Sequence, residues 1–500
     1  MKICYFLQRN FASVGDAIAA NLRDRYGVNE ACAYVGMRTA LGVLKEKGMV
    51  RYSTLLLDED IHATFPGVSL DMEYLRILEE KCGIPNLWPY LMADRTLMST
   101  QPLREYPYDR PLESHEDLLR ILQVTAQAIE KLLDTEKPGA VVFPVVGSLG
   151  SMLLYHIART RGIETRLMFP VVLENRYMVS SRYDCFSLRE ELGESFATLP
   201  PPEHLREARR FLESFRKAPK PYVAEFSPDK QQINRMRQLK FLRPDRLLRS
   251  VGAIFREFRL HLFGGIARDY SSVHPFHFIV DRVKRKIRNA RGVADLYDVL
   301  PPNEPYAFYP LHFEPEIALL VQGSFVTNQL EVIRQAARSL PVGWKLYVKE
   351  HPQMVEYRPR SFYQQLKKIP NVRLVDPSIK SFEVIAGSSL VIVISGTAGF
   401  EACLMKKPLI TLGSQFFNDF SFVKHCTGFE QLPALVHEQV TAFRYDESEL
   451  HHYLAKMFEV SAIIDMGKLW YRQASRDELL QGVAALADAL ARSLRLRQTT

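Results

Sequence analysis

Two short segments in the second half of the chain carry side chains that can hold a phosphate group. In the first, Lys349-Glu350-His351-Pro352, an apolar run over 345–349 ends in a histidine followed by proline. Proline cannot donate to a sheet ladder and biases the residue before it toward extended backbone. His351 and Pro352 therefore mark the carboxyl end of a strand. An imidazole there can donate to an anion, and Lys349 adds a cation two residues earlier. In the second, Ser395-Gly396-Thr397-Ala398-Gly399 joins an apolar run at 390–394 to a helical pattern at 398–405. Small residues let the backbone approach a ligand. The hydroxyls of Ser395 and Thr397, with the free N–H groups of a first helical turn, form an anion cradle. The plainer alternative has Thr397 only capping the helix. The Gly-Lys-Ser/Thr ending of a Walker loop and the Gly-x-Gly-x-x-Gly pattern are both missing here. Glu401, one turn on, can accept from ribose hydroxyls or simply complement the helix N-terminus.

A third segment, Leu311-His312-Phe313-Glu314-Pro315-Glu316, follows a strand pattern at 306–310. Three ionisable groups within five residues on a strand-end loop suggest a ligand contact through His312, with Glu314 or Glu316 facing a cleft. In the first half, Asp58-Glu59-Asp60 directly follows an apolar run at 53–57, and Asp16 follows Val14-Gly15 near the end of the first strand. Asp58, Asp60 and Asp16 are the carboxylates placed to take a proton from an attacking hydroxyl; a solvated acidic loop and a helix N-cap are their ordinary readings. Glu174-Asn175-Arg176 and Gly147-Ser148 also follow strands, and Arg176 can meet an anionic acceptor.

Strands must alternate with helices to bring such loops to one edge. From residue 306 they do so regularly, with strand patterns at 306–310, 345–349, 372–375, 390–394 and 408–412 separated by helical stretches. That pattern predicts a doubly wound parallel sheet, which binds ligands at the carboxyl ends of its strands. Residues 1–200 repeat the alternation, with strands at 2–6, 53–57, 140–144 and 165–169. The expected organisation is a Rossmann-like acceptor domain at 1–200, a basic and mostly helical insert at 201–302, a Rossmann-like ligand-binding domain at 303–445, and C-terminal helices at 446–500 that pack back toward the first domain.

Of the 500 residues, 47% are hydrophobic and 24% charged, an ordinary globular composition. No apolar stretch approaches the ~20 residues that a membrane span needs, and the N-terminal apolar run is too short for a signal peptide. The six cysteines (Cys4, Cys32, Cys82, Cys185, Cys403 and Cys426) form no Cys-x-x-Cys pair and sit mostly in apolar segments. A reducing, cytoplasmic setting is expected, without a disulfide framework or zinc site. The net charge of +8 is concentrated: residues 230–291 hold sixteen Lys or Arg against four Asp or Glu, leaving the rest slightly acidic. That segment interleaves cations with Phe, Leu and Ile, as in Phe255-Arg-Glu-Phe-Arg259. It suits an anionic membrane surface or an acidic glycan, or a solvated face between domains. No nucleic-acid fold signature accompanies the charge.

The block Phe308-Tyr-Pro-Leu-His-Phe-Glu-Pro-Glu316, then Leu346-Tyr-Val-Lys-Glu-His-Pro352, then Ser395-Gly-Thr-Ala-Gly-Phe-Glu-Ala402 with Lys407-Pro408, resembles the capsule polysaccharide biosynthesis family. The resemblance covers about a fifth of the chain and includes Kdo transferases that use CMP-Kdo. It implies a GT-B architecture: two Rossmann-like doubly wound domains with C-terminal crossover helices. It further implies a glycosyltransferase of surface polysaccharide synthesis, a CMP-linked nucleotide-sugar co-substrate and no other cofactor; no metal is expected, because no Asp-x-Asp stands on a strand-end loop of the second domain. By position, His351 and the Ser395–Thr397 turn would hold the CMP phosphate, and His312 and Glu316 would lie near the donor sugar or cytidine. The acceptor would be a glycan or glycolipid at the inner face of the membrane. A sugar-nucleotide epimerase of the same fold and a non-catalytic assembly protein are the competing readings.

Overall fold

The computed structural model describes residues 1–82, 86–99, 106, 110–173, 175–184, 186–220, 244–263, 269–355, 357–471 and 474–498. Two sheets organise the chain. The first joins β1 (Lys2–Leu7), β2 (Glu30–Val35), β3 (Tyr52–Leu57), β4 (Ala140–Phe143), β5 (Glu164–Val171), β6 (Arg176–Ser180) and a short β13 (Ala462–Ile463), in the order β13-β6-β5-β4-β1-β2-β3. The second joins β7 (Tyr306–Pro310), β8 (Lys345–Lys349), β9 (Val372–Val375), β10 (Leu390–Val393), β11 (Leu409–Thr411) and β12 (Val423–His425), in the order β12-β11-β10-β7-β8-β9. All pairings in the second sheet are parallel; in the first, only β6 is reversed, so its pairings with β5 and β13 are the antiparallel ones. Counted from its own first strand, each sheet runs 3-2-1-4-5-6, the Rossmann order.

The central strands are apolar on both faces because helices cover both faces. β4 and β10 are buried at every position. The sequence patterns omitted β2, whose run Glu-Ala-Cys-Ala-Tyr-Val is rich in alanine, a residue with little strand preference. Burial between β1 and β3 makes it a strand nonetheless.

The C-terminal helix Arg476–Ser493 returns to the first sheet's helix Phe11–Tyr26. Asn21 Nδ2 donates to the Leu480 carbonyl at 3.0 Å, Tyr26 donates to Asp488 at 2.7 Å, and Val483, Leu486 and Leu490 bury against Ile18 and Leu22. Two Rossmann-like units with that crossover are the GT-B architecture. Helix Pro202–Lys217 packs on the second unit, where Arg216 donates to the Leu404 carbonyl at 2.7 Å and pairs with Glu447 at 2.6 Å. Helices Pro244–Phe263 and Pro275–Arg291 follow in the basic segment, of which residues 230–243 and 264–268 lie outside the described residues. The units also meet through the loop after β4: a Cβ added at Gly147 would come 2.6 Å from Ile317 of the second unit. Cys4, Cys32, Cys82, Cys403 and Cys426 are buried free thiols; Cys185 lies outside the described residues.

Candidate functional site

In the second sheet the connections leave β7 toward β8 and β10 toward β11, in opposite directions, so a crevice opens at the carboxyl ends of β7 and β10. The loops that begin at Leu311 and Ile394 enter it. Gly396, not Thr397, is the N-cap of helix Thr397–Leu404; its backbone is extended (φ −76°, ψ 156°) and no side chain caps the helix. Thr397 is the first helical residue and is half-buried. The first-turn N–H groups therefore have no side-chain acceptor and can serve an anion. Two glycines permit this close packing. A Cβ at Gly396 would lie 3.1 Å from His312 Nε2, and one at Gly399 would lie 2.8 Å from Phe417 and 3.0 Å from Val393. Ser395 is buried and its hydroxyl donates to the Ala318 carbonyl, so it positions the turn.

His312 lies beneath that turn. Its Nε2 accepts from the Ser395 N–H at 3.2 Å, which assigns the ring proton to Nδ1, a buried atom with no hydrogen-bond partner among the described residues. Gln329 clamps the residue's backbone, accepting from its N–H at 2.6 Å and donating to its carbonyl at 3.2 Å. Burial first, then the neighbouring His351, lowers the His312 pKa to about 3. His351 Nδ1 accepts from the Gln353 N–H at 3.2 Å, leaving the ring proton on Nε2. Burial, with Arg358 and Lys349 nearby, lowers its pKa to about 4. Both imidazoles are thus neutral donors near pH 7.

A buried network that the motifs did not reveal holds these two histidines. Glu350 accepts from the His351 N–H at 2.6 Å, from Tyr363 at 2.7 Å and from Arg358. Arg358, with a fully buried side chain, also donates to the His312 carbonyl at 2.7 Å and pairs with Glu314 at 3.0 Å. Burial opposes its charge, but Glu350 and Glu314 outweigh it and raise the pKa well above the ordinary value. Arg358 lies six residues beyond Pro352 in a loop without a strand or helix pattern, so no local signal marks it.

Lys349 and Glu401 are both buried, on either side of the carboxyl end of β7. Burial lowers Lys349 to about 8 and raises Glu401 to about 7, and each offsets part of the other's shift. Neither side chain makes a hydrogen bond or ion pair among the described residues. Glu316 is exposed at the start of helix Ile317–Leu320, within electrostatic reach of Arg95 of the first unit. Beside the crevice, Met98, Tyr106, Glu314, Asn328, Gln329 and Phe362 line an interdomain cavity of about 500 Å³, a size that suits a small ligand.

The neutral histidines set a pH dependence. Their folded pKa values lie below the ordinary 6.5, so below that pH the unfolded chain binds more protons and stability falls as pH drops toward 4. Glu401 acts in the opposite sense: its raised pKa contributes stability at low pH that is lost as pH rises through about 7. In thermal melts between pH 6.5 and 4, His312→Asn should gain stability relative to the unsubstituted protein as pH falls, by up to about 1.4 kcal/mol per pH unit. An unchanged slope would rule out a neutral buried His312.

The carboxylates proposed for proton transfer each have partners within the first unit or the basic segment. Asp16 is neither an N-cap nor at the ligand edge. It is buried in the second turn of its helix, accepting from the Met49 N–H at 2.6 Å and from Tyr52 at 3.0 Å. Those residues lead into the amino end of β3, so Asp16 lies at the opposite edge of the sheet. Asp58 opens helix Asp58–His62 and accepts from Tyr270 at 2.6 Å and from Tyr34; burial raises its pKa to about 6. Asp60 is exposed and pairs with Arg38 at 2.8 Å. Arg176 is buried against Phe458 and Glu207 and is not available to an acceptor; Glu174 lies outside the described residues.

Residues 255–422 match the family described as capsule polysaccharide biosynthesis protein, in agreement with the resemblance carried by the three motifs. Nothing among curated proteins matches. Solved structures similar to the chain include Thermosulfurimonas dismutans KpsC, beta Kdo 2,7 transferase, at 11% identity over 71% of this chain and 84% of that one, with a TM-score of 0.36. The S. aureus MnaA-UDP co-structure is 11% identical over 99% and 97%, with a TM-score of 0.28. Methanocaldococcus jannaschii UDP-GlcNAc 2-epimerase, in complex with UDP-GlcNAc and UDP, is 12% identical over 92% and 99%, with a TM-score of 0.27.

Proposed function

From the match of residues 255–422 to the capsule polysaccharide biosynthesis family, we propose that the chain is a nucleotide-sugar glycosyltransferase of surface polysaccharide synthesis with a CMP-linked donor. The observation that carries the reading is the crevice at the β7/β10 switch point. A helix start without a side-chain cap among the described residues, the Nε2–H of His351 and the buried, unpaired side chains of Lys349 and Glu401 support it.

In the proposed reaction an acceptor hydroxyl attacks the anomeric carbon, and CMP leaves with the electrons of the broken C–O bond. Charge grows on the phosphate as that bond breaks. The N–H groups of Thr397 and Ala398 and the imidazole of His351 donate to it from fixed positions, which favours the transition state over the ground state. Glu401 accepts from the ribose hydroxyls, and Lys349 balances the anion. Acceptor binding and proton removal fall to groups of the first unit.

A thermal-shift panel of nucleotides tests the donor. CMP or CTP at about a hundred times its dissociation constant should stabilise the protein by ~2.7 kcal/mol, more than UDP or GDP does. A larger shift with UDP would overturn the CMP assignment. Epimerisation of a nucleotide sugar without acceptor would replace the transferase reading.

A further inference from the structure

We infer that the helical hairpin formed by Pro244–Phe263 and Pro275–Arg291 is a docking surface for an anionic lipid bilayer. The two helices pack against each other, with the His261 and His274 rings 4.8 Å apart where the hairpin closes. In the first helix Val251, Phe255, Phe258 and Leu262 recur at i, i+4, i+7 and i+11, which places them on one face. That face points to solvent: Phe255 is 71% and Leu262 68% exposed. The second helix repeats the device with Phe276, Val283 and Ile287 at i, i+7 and i+11, of which Phe276 is 59% and Ile287 61% exposed. A helix that packs on a protein core buries such a stripe; here the stripes are what the helices display.

The inner side of the second helix is polar and anchored. Asp281 and Asn289 are buried, Arg285 pairs with Asp281 at 2.6 Å and donates to the Tyr357 hydroxyl at 3.0 Å, and Arg288 donates to the Tyr357 carbonyl. Tyr357 precedes Arg358, so the hairpin is fastened to the loop that carries the buried network of the crevice. At 100° per residue, Lys284 and Arg291 border the exposed stripe on one side and Lys286 on the other, while Arg259 borders that of the first helix. Apolar stripes flanked by long cations suit the headgroup–acyl boundary, with the stems buried and the charges at the phosphates. Among the described residues no helix is long and apolar enough to cross a membrane, so the hairpin lies on the surface.

Charge selects this occupant. The two helices hold ten Lys or Arg against three Asp or Glu, an excess that would oppose a second copy of the same hairpin, and an acidic glycan offers nothing to the exposed phenylalanines. An anionic bilayer satisfies both features. The inference stands independently of the donor nucleotide.

Co-sedimentation of the full chain with large vesicles tests it. Binding is expected to mixed phosphatidylglycerol–phosphatidylcholine vesicles and not to phosphatidylcholine alone, and it should weaken as salt screens the attraction. Arg259→Gln with Arg291→Gln should weaken it about 25-fold, at about fivefold per cation. Phe255→Ser with Leu262→Ser should abolish it while leaving the unfolding midpoint unchanged, because both side chains are exposed. Equal binding to the two lipid mixtures, no binding to either, or full binding by the serine variant would each overturn the inference. So would a dimer in sedimentation velocity that the serine variant dissolves.

Discussion

His351→Ala is expected to lower kcat by about 10²–10³-fold, the effect of removing one preorganised donor from a developing oxyanion. Its Nδ1 is held by the Gln353 N–H, so Nε2–H is the single polar hydrogen of the ring. The expected loss falls on kcat more than on the KM of the acceptor, because the interaction strengthens as charge accumulates on the departing phosphate. His351→Asn, which keeps a short donor, should recover part of the rate. Stabilisation by CMP should fall in His351→Ala, while the midpoint without nucleotide changes little, since the ring is only half-buried and anchors no network through its side chain. Wild-type turnover in His351→Ala would remove the residue from the mechanism.

Arg358→Ala is expected to be the most destabilising single change near the crevice, at about 3–5 kcal/mol. That is the range for breaking a buried ion pair by deleting one partner. The guanidinium joins Glu350, Glu314 and the His312 carbonyl with no exposed surface, so alanine leaves two carboxylates without their cation. Arg358→Lys should not rescue it, because a point charge cannot reproduce a planar fork that reaches three acceptors. Glu350→Gln with Arg358→Met should be milder than Arg358→Ala alone, since the deficit comes from orphaned charge more than from lost attraction. The measurement is the unfolding transition of the second unit, followed by calorimetry and by hydrogen exchange of β7 and β8. A change within about 0.5 kcal/mol, the ordinary size of a surface substitution, would show that the network contributes nothing.

The second unit was more legible in the sequence than the first. Its strands are short apolar runs ending at prolines, glycines and charged residues, and their parallel order follows from the alternation with helices. The first unit hides β2 in an alanine-rich run, and its acidic residues look alike in one dimension. Asp16 and Asp58 both stand near apolar segments. The fold sends Asp16 to the amino edge of the sheet, with Tyr52 and the Met49 N–H, and encloses Asp58 between two tyrosines, one of which, Tyr270, comes from the distant basic segment. Exposure of the basic helices was equally hidden. Their periodic apolar residues read the same whether they pack inward or face water, and only the assembled surface separates the two.

By itself the sequence determined where chain direction changes and where the backbone can approach a ligand. Pro352 and Gly396 act on their immediate neighbours through sterics and φ/ψ, which a few residues suffice to define. Tertiary structure decided which atoms remain free and which protonation states they hold. The tie between Ser395 and Ala318, the tautomer of His312 and the charge on Arg358 depend on groups that are distant along the chain. Desolvation and Coulomb energy follow distance in space, and the fold alone sets those distances.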